Sequence, residues 1–139
     1  MIDLIRRLNA KTWPYTTFLL LCFVTYASLF PLPELDGRWF RHADKVKHMM
    51  AYAALALPVA LARPRLAWAL AVVFVMWSGV MELIQPYAHR HRDLLDLVAN
   101  TIGLGSGLVS AHILRAIAHR WERRNAAAVQ AAHVQPAGE

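Results

Sequence analysis

The stretch RHRDLLDLVANTIGLGSG, from Arg90 to Gly107, carries the pattern that decides the fold. If the chain is helical from about Asp93, the polar and small residues of this stretch recur every three or four positions and line one face. These residues are Asp93, Asp96, Asn100, Gly103 and Gly107. The other faces carry leucine, valine and isoleucine, so the pattern predicts an apolar helix with one polar stripe. Carboxylates and an amide in apolar surroundings cost free energy unless partners meet them, so other parts of the chain must supply those partners.

The composition and the distribution of charge are unusual for a soluble protein. The chain has 139 residues, enough for one domain. Hydrophobic residues make up 58% and charged residues 17%, and the charges gather in short clusters between long apolar runs. This distribution is typical of a polytopic membrane protein. Basic loops at a membrane surface account for the net charge of +6 without a nucleic-acid partner. The single cysteine, Cys22, excludes an intrachain disulfide and a CxxC metal motif.

Four apolar segments predict an all-α fold, a bundle of four transmembrane helices. The first segment follows a basic start and is interpreted as an uncleaved span rather than a signal peptide. The second helix starts near Ala43, with Asp44 in its first turn, where a carboxylate is favoured. The third is uncharged from Leu66 to Met81 and is closed by Gln85 and Pro86. The fourth is predicted over residues 93–119.

The predicted domain organisation has three parts. Residues 1–13 form a basic N-terminal segment, residues 14–119 the four-helix membrane domain, and residues 120–139 a basic, then disordered, tail that is unstructured from Asn125 onward. With four spans, nine Lys and Arg residues lie on the side of the termini and six on the other side. The positive-inside rule therefore predicts that both termini and the Arg63–Arg65 turn face the cytoplasm.

This topology brings three polar groups, far apart in sequence, to the same outer face of the bundle. They stand at the start of the second helix, the end of the third and the start of the fourth. Because buried polar groups need partners, we predict that they line one ligand-binding pocket near the outer headgroups. The predicted residues are Asp44, Lys45, His48, Tyr52, Glu82, Gln85, Arg90, Asp93, Asp96 and Asn100.

The same residues resemble the motifs of the VanZ-like family of small bacterial membrane proteins. The resemblance rests on DKVKH at Asp44–His48 with Tyr52 four positions on, on Glu82 and Gln85, and on Arg90, Asp96, Asn100 and Gly103. It covers about residues 15–115, and His89 stands where the family commonly has a glycine. The resemblance implies a multi-pass protein of the bacterial inner membrane with a role in the cell envelope, related by family name to glycopeptide resistance. It implies no established reaction.

Three classes of function stay open. The first is a binding protein whose pocket recognises an anionic lipid headgroup or a lipid-linked envelope precursor, with Arg90, Arg92 and Lys45 on the phosphate. The second is an enzyme acting on such a substrate, for which the candidate catalytic residues are His48, Glu82 and Asp96. The third is a structural or interaction protein without a ligand, in which Glu82 pairs with Arg90 or Lys45 only to hold the helix ends together.

Histidines near the predicted pocket do not predict a metal site. His89 and His91 alternate with arginines, which repel a cation, so these side chains are poor candidates to complete a site with His48. No metal and no other cofactor is predicted, and the expected partners are membrane lipids.

The two glycines of the stripe, Gly103 and Gly107, form a GxxxG pattern. Small residues at this spacing let two helices approach closely in a membrane. The pattern therefore predicts tight packing against a helix of the same chain or, in a homo-oligomer, of a second chain.

Overall fold

A computed structural model describes residues 2–30, 40–88 and 93–134, with side chains described for residues 10–30, 44–88 and 93–131. The described residues form four α-helices and no strand: α1 (Ile2–Leu29), α2 (Phe40–Ala62), α3 (Pro64–Ile84) and α4 (Leu94–Val134). A short 3-10 turn, Gln85–Ala88, follows α3. The prediction of an all-α fold with four helices is confirmed.

Three helix ends differ from the prediction. The basic start of the chain is not a separate segment, since α1 runs unbroken from Ile2 through Pro14. Helix α2 begins at Phe40, so Asp44 lies in its second turn rather than its first. Helix α4 continues to Val134, and the prediction of an unstructured tail is wrong for residues 125–134. The sequence there is rich in alanine, the strongest helix former, and continues the helix beyond its packed part.

Helix α4 packs most closely against α2, through its two stripe glycines. A Cβ atom on Gly103 would lie 2.9 Å from the Met49 Cα, and one on Gly107 would lie 3.1 Å from the Ala53 Cα. No side chain fits between the two backbones at these points. The partner of the GxxxG stripe is therefore α2 of the same chain. A homo-oligomer stays a prediction, and it would have to use a surface that α2 does not cover.

Substituting Gly103 by alanine should destabilise the bundle. The added methyl meets the α2 backbone, and overpacking of this kind costs about 1–3 kcal/mol. Gly105→Ala is the matched control, because a Cβ there meets nothing within 4 Å. The control should be neutral or gain up to about 1 kcal/mol from helix propensity. The thermal unfolding temperature in detergent should therefore fall for Gly103→Ala and stay the same or rise for Gly105→Ala, and equal shifts would contradict the close α2–α4 contact.

The apolar core is small and lies between the helices in two parts. One part contains Tyr52, Leu55, Phe74 and Leu104. The other consists mainly of small side chains, Val59, Ala60, Ala67 and Ala111. Small residues in this second part let α2, α3 and α4 approach one another, while many other large apolar side chains lie on the outer surface.

The outer faces of the helices are apolar, whereas several polar side chains are buried. Large exposed side chains include Phe18, Phe23, Trp68, Met76 and Ile102. Buried polar residues include Ser78, Glu82, Gln85, Asp96 and Asn100. This distribution is the reverse of a soluble domain, which seldom leaves wide apolar surfaces open. Two segments, Pro64–Ala88 and Leu94–Ala131, are long and apolar enough to cross a membrane.

Candidate functional site

The structure brings most of the predicted site residues together at one end of the bundle. They come from α2, from the end of α3 and from the start of α4. We use the name polar cluster for Asp44, Lys45, His48, Tyr52, Ser78, Glu82, Asp93, Asp96 and Asn100. Arg90, the remaining basic residue of the prediction, lies outside the described residues.

Lys45 is the centre of the charged part of the cluster. Its ammonium group donates hydrogen bonds to Asp93 Oδ2 and to Asp96 Oδ1. The Asp96 side chain is buried, whereas the side chains of Lys45 and Asp93 are partly exposed. Lys45 therefore links a buried carboxylate of α4 to one at the open end of the bundle.

Asp93 connects the end of α3 to the start of α4. Its Oδ1 accepts a hydrogen bond from the Leu95 backbone N–H at 2.9 Å, the geometry of a helix N-cap. Its own backbone N–H donates to Glu82 Oε2 at 3.1 Å. The hydrogen bond from Lys45, with that from Leu95, lowers the pKa of the Asp93 carboxyl. Asp93 therefore stays ionised and keeps its ion pair with Lys45.

A chain of hydrogen bonds lies deeper, below the charged groups. The Asn100 amide Nδ2 donates to Ser78 Oγ at 2.7 Å, and Ser78 also shares a hydrogen bond with the Tyr52 hydroxyl. On the other side of Asn100, its Oδ1 lies 3.2 Å from His48 Nδ1. Because an amide oxygen only accepts, this contact requires the hydrogen of His48 to be on Nδ1. Helices α2, α3 and α4 are joined through one polar path.

The other ring nitrogen of His48 faces two carboxylates. His48 Nε2 lies 3.7 Å from Asp96 Oδ2 and 3.9 Å from Asp44 Oδ2. The ligand atoms of these three residues all lie within 4.8 Å of one another, a spacing that could hold a cation. The Lys45 ammonium, however, already binds the other oxygen of Asp96, and its charge opposes a second cation. We therefore propose no metal there.

Ser78 is the cluster residue that was absent from the predicted site. It lies one turn before Glu82 on the buried face of α3, and that i, i+4 spacing is the signal that places it there.

Gln85, in contrast, was predicted to line the site but does not join the polar cluster. The structure places it against α1, where its Nε2 donates to the Ser28 carbonyl at 3.5 Å. Its Oε1 has no hydrogen-bond partner in the described part of the chain.

The polar cluster has an exposed rim and a buried floor. The side chains of Asp44 and Asp93 are 40% and 43% exposed, whereas that of Asp96 is 5% exposed. Glu82 and Asn100 are each 4% exposed. A ligand that enters from the end of the bundle would meet the rim first and the acceptor groups of the floor below it.

The described part of the cluster is rich in hydrogen-bond acceptors. It contains four carboxylates, Asp44, Glu82, Asp93 and Asp96, against the single ammonium of Lys45. Carboxylate and amide oxygens accept hydrogen bonds from hydroxyl or ammonium groups. The cluster alone therefore suits a ligand that donates hydrogen bonds, and an anionic ligand would need further cations.

No protein-family model, no curated protein and no solved structure matches this chain. The function is therefore inferred from the sequence and from the geometry of the polar cluster.

Proposed function

We propose that this chain is a multi-pass protein of the bacterial inner membrane, similar to the VanZ-like family, whose polar cluster binds the headgroup of an anionic lipid or a lipid-linked envelope precursor. The observation that carries the proposal is a buried polar cluster, open at one end, inside a bundle with an apolar outer surface. The apolar outer surface supports the membrane location, and the buried polar cluster supports the binding of a ligand.

The apolar surface supports the membrane location. Phe18 and Phe23 on α1, Trp68 and Met76 on α3, and Ile102 on α4 project outward, where lipid would cover them. Helices satisfy their own backbone hydrogen bonds and are therefore suited to span the hydrocarbon region. The excess of Lys and Arg beside the termini supports an orientation in which the polar cluster faces the outer surface.

The chemistry of the cluster narrows the class of ligand. Ionisable residues inside a membrane protein are costly and commonly mark a functional site. The acceptor groups of the floor match hydroxyl or ammonium donors, while phosphate would be held by basic residues that are close in sequence to Asp44 and Asp93: Arg38, Arg41, Arg90 and Arg92. A lipid-linked sugar phosphate carries both hydroxyl and phosphate groups, and we therefore favour it over a headgroup with phosphate alone.

Lipids that co-purify with the protein test the proposal. Mass spectrometry of the wild type in mild detergent should find a phosphate-bearing lipid with a hydroxyl-rich headgroup, enriched over the bulk membrane. His48→Ala should lose most of it, because the side chain that bridges Asn100 and Asp96 is gone. His133→Ala, the same exchange near the end of α4, is the control. Equal lipid content in wild type and His48→Ala would contradict the proposal.

A membrane-embedded enzyme is the second candidate, and the geometry of His48 favours it. The ring is held through Nδ1 by Asn100, and Nε2 faces Asp96 and Asp44, as in a histidine positioned for proton transfer. If the protein is an enzyme, the co-purified lipid should be converted on incubation by the wild type and persist unchanged with His48→Gln. If the lipid stays unchanged with both the wild type and His48→Gln, the function is binding rather than catalysis.

The proposed orientation gives a separate prediction. In a Cys22→Ser background, single cysteines at Gly37 and Ala88 should react with an impermeant thiol reagent in intact cells, because their loops face outward. A cysteine at Pro64, in the predicted cytoplasmic turn, should react only after the cells are opened. Labelling of Pro64→Cys in intact cells, with Gly37→Cys silent, would invert the orientation.

A further inference from the structure

A cavity of about 560 Å³ opens at the end of the bundle opposite the polar cluster, between the start of α3 and the later part of α4. Its walls are apolar and include Trp68, Leu108 and Val109. Trp68 and Val109 are exposed, so the groove opens sideways onto the apolar surface of α3 and α4. One end of the groove is basic, because two histidines and an arginine of α4 border it: His112, Arg115 and His119.

Arg115 is held in place at this basic end. Its Nη1 donates to the Leu61 carbonyl at 3.3 Å, in the last turn of α2, where backbone carbonyls lack helical partners. Among the described residues, no carboxylate forms an ion pair with Arg115. His119 lies 3.4 Å from Glu122 and is therefore partly engaged. Two further arginines, Arg63 just before α3 and Arg65 in its first turn, are exposed and adjoin Pro64, which borders the groove. The guanidinium of Arg115 keeps donors available for a ligand.

We propose that this groove binds an acidic phospholipid of the inner leaflet. The phosphate lies against Arg115 and His112, and one acyl chain follows the apolar wall of Trp68, Leu108 and Val109. Charge complementarity supports an anionic headgroup at the basic end, and the apolar side chains beyond it suit a hydrocarbon chain. The inference rests on the membrane location of the proposed function, but not on the ligand of the polar cluster.

Native mass spectrometry of the purified chain tests this proposal. The protein is exchanged into detergent with equal amounts of phosphatidylglycerol and phosphatidylcholine. The wild type should retain phosphatidylglycerol in preference to phosphatidylcholine. Arg115→Gln should reduce that retention by about tenfold, the effect of one charge-assisted contact. The glutamine side chain is too short to keep the contact with the Leu61 carbonyl, so thermal unfolding in the same detergent checks that the variant is folded. Arg120→Gln removes the same charge from an exposed position of α4 and should leave retention unchanged.

A second variant probes the apolar wall without any change of charge. Val109→Trp fills the groove and should displace the lipid as effectively as Arg115→Gln. Equal retention of the two lipids by the wild type, or full retention by Val109→Trp, would overturn the proposal. Complete displacement of phosphatidylglycerol by millimolar inorganic phosphate would also overturn it, since the headgroup contact alone would then account for binding and the acyl chain on the apolar wall would contribute nothing. Glu82→Gln, in the polar cluster, should not affect this groove, so failure of the proposed function and failure of this inference give different results.

Discussion

Replacing Lys45 with methionine should lower the free energy of unfolding by about 1–3 kcal/mol, because the buried Asp96 loses its ion pair while Lys45 itself is partly exposed to solvent. Lys45 is the only lysine or arginine whose side chain the structure describes in the polar cluster. Without it, the buried Asp96 carboxylate loses its cation and stands near the carboxylates of Asp93 and Glu82. Equilibrium or thermal unfolding in detergent measures the loss.

Lys47→Met is the matched control for this prediction. The same exchange is made two residues away on α2, at a side chain that is exposed. A surface substitution of this kind changes stability by about 0.5 kcal/mol or less. Adding Asp96→Asn to Lys45→Met should recover part of the loss, because one unpaired carboxylate is removed. If Lys45→Met and Lys47→Met were equally mild, the ion pairs would not hold the bundle together.

Substituting Glu82 by glutamine should abolish ligand binding while the protein keeps its abundance. The buried Glu82 side chain accepts a hydrogen bond from the Asp93 backbone N–H, and the glutamine amide oxygen can accept the same bond. The exchange therefore removes a charge from the floor of the cluster with little change in shape. We expect retention of the co-purifying lipid to fall by about tenfold or more, as for other charge-assisted contacts. Membrane abundance and sensitivity to envelope-directed antibiotics should be measured on the same cells.

Glu122→Gln makes the same exchange at the opposite end of the bundle and should leave that phenotype unchanged. If the polar cluster is only a scaffold, any loss of phenotype in Glu82→Gln should follow its loss of protein. Such a proportional loss would exclude the binding proposal and leave a structural role. Arg90→Lys gives a further comparison, because lysine keeps the charge but lacks the two-pronged geometry with which arginine holds phosphate. A damaging effect at normal abundance would support Arg90 as a ligand contact.

Much of the fold follows from the sequence because helix faces are a local property. The spacing of Asp96, Asn100, Gly103 and Gly107 at steps of three and four puts them on one side of α4, whatever the neighbours are. The burial of all four confirms that stripe. The prediction failed for residues 125–134, which were expected to form an unstructured tail, because their many alanines continue the helix.

The amino-acid sequence by itself determined that four helices form and that α4 has a polar and glycine-lined face. Only the tertiary structure decided which groups meet. Lys45 binds Asp93 and Asp96 rather than Glu82, and Gln85 turns to α1. The physical reason is that partner choice depends on the register between helices, which is set by the contact of Gly103 and Gly107 with the α2 backbone. Such a contact joins residues about fifty positions apart, and no local periodicity encodes it.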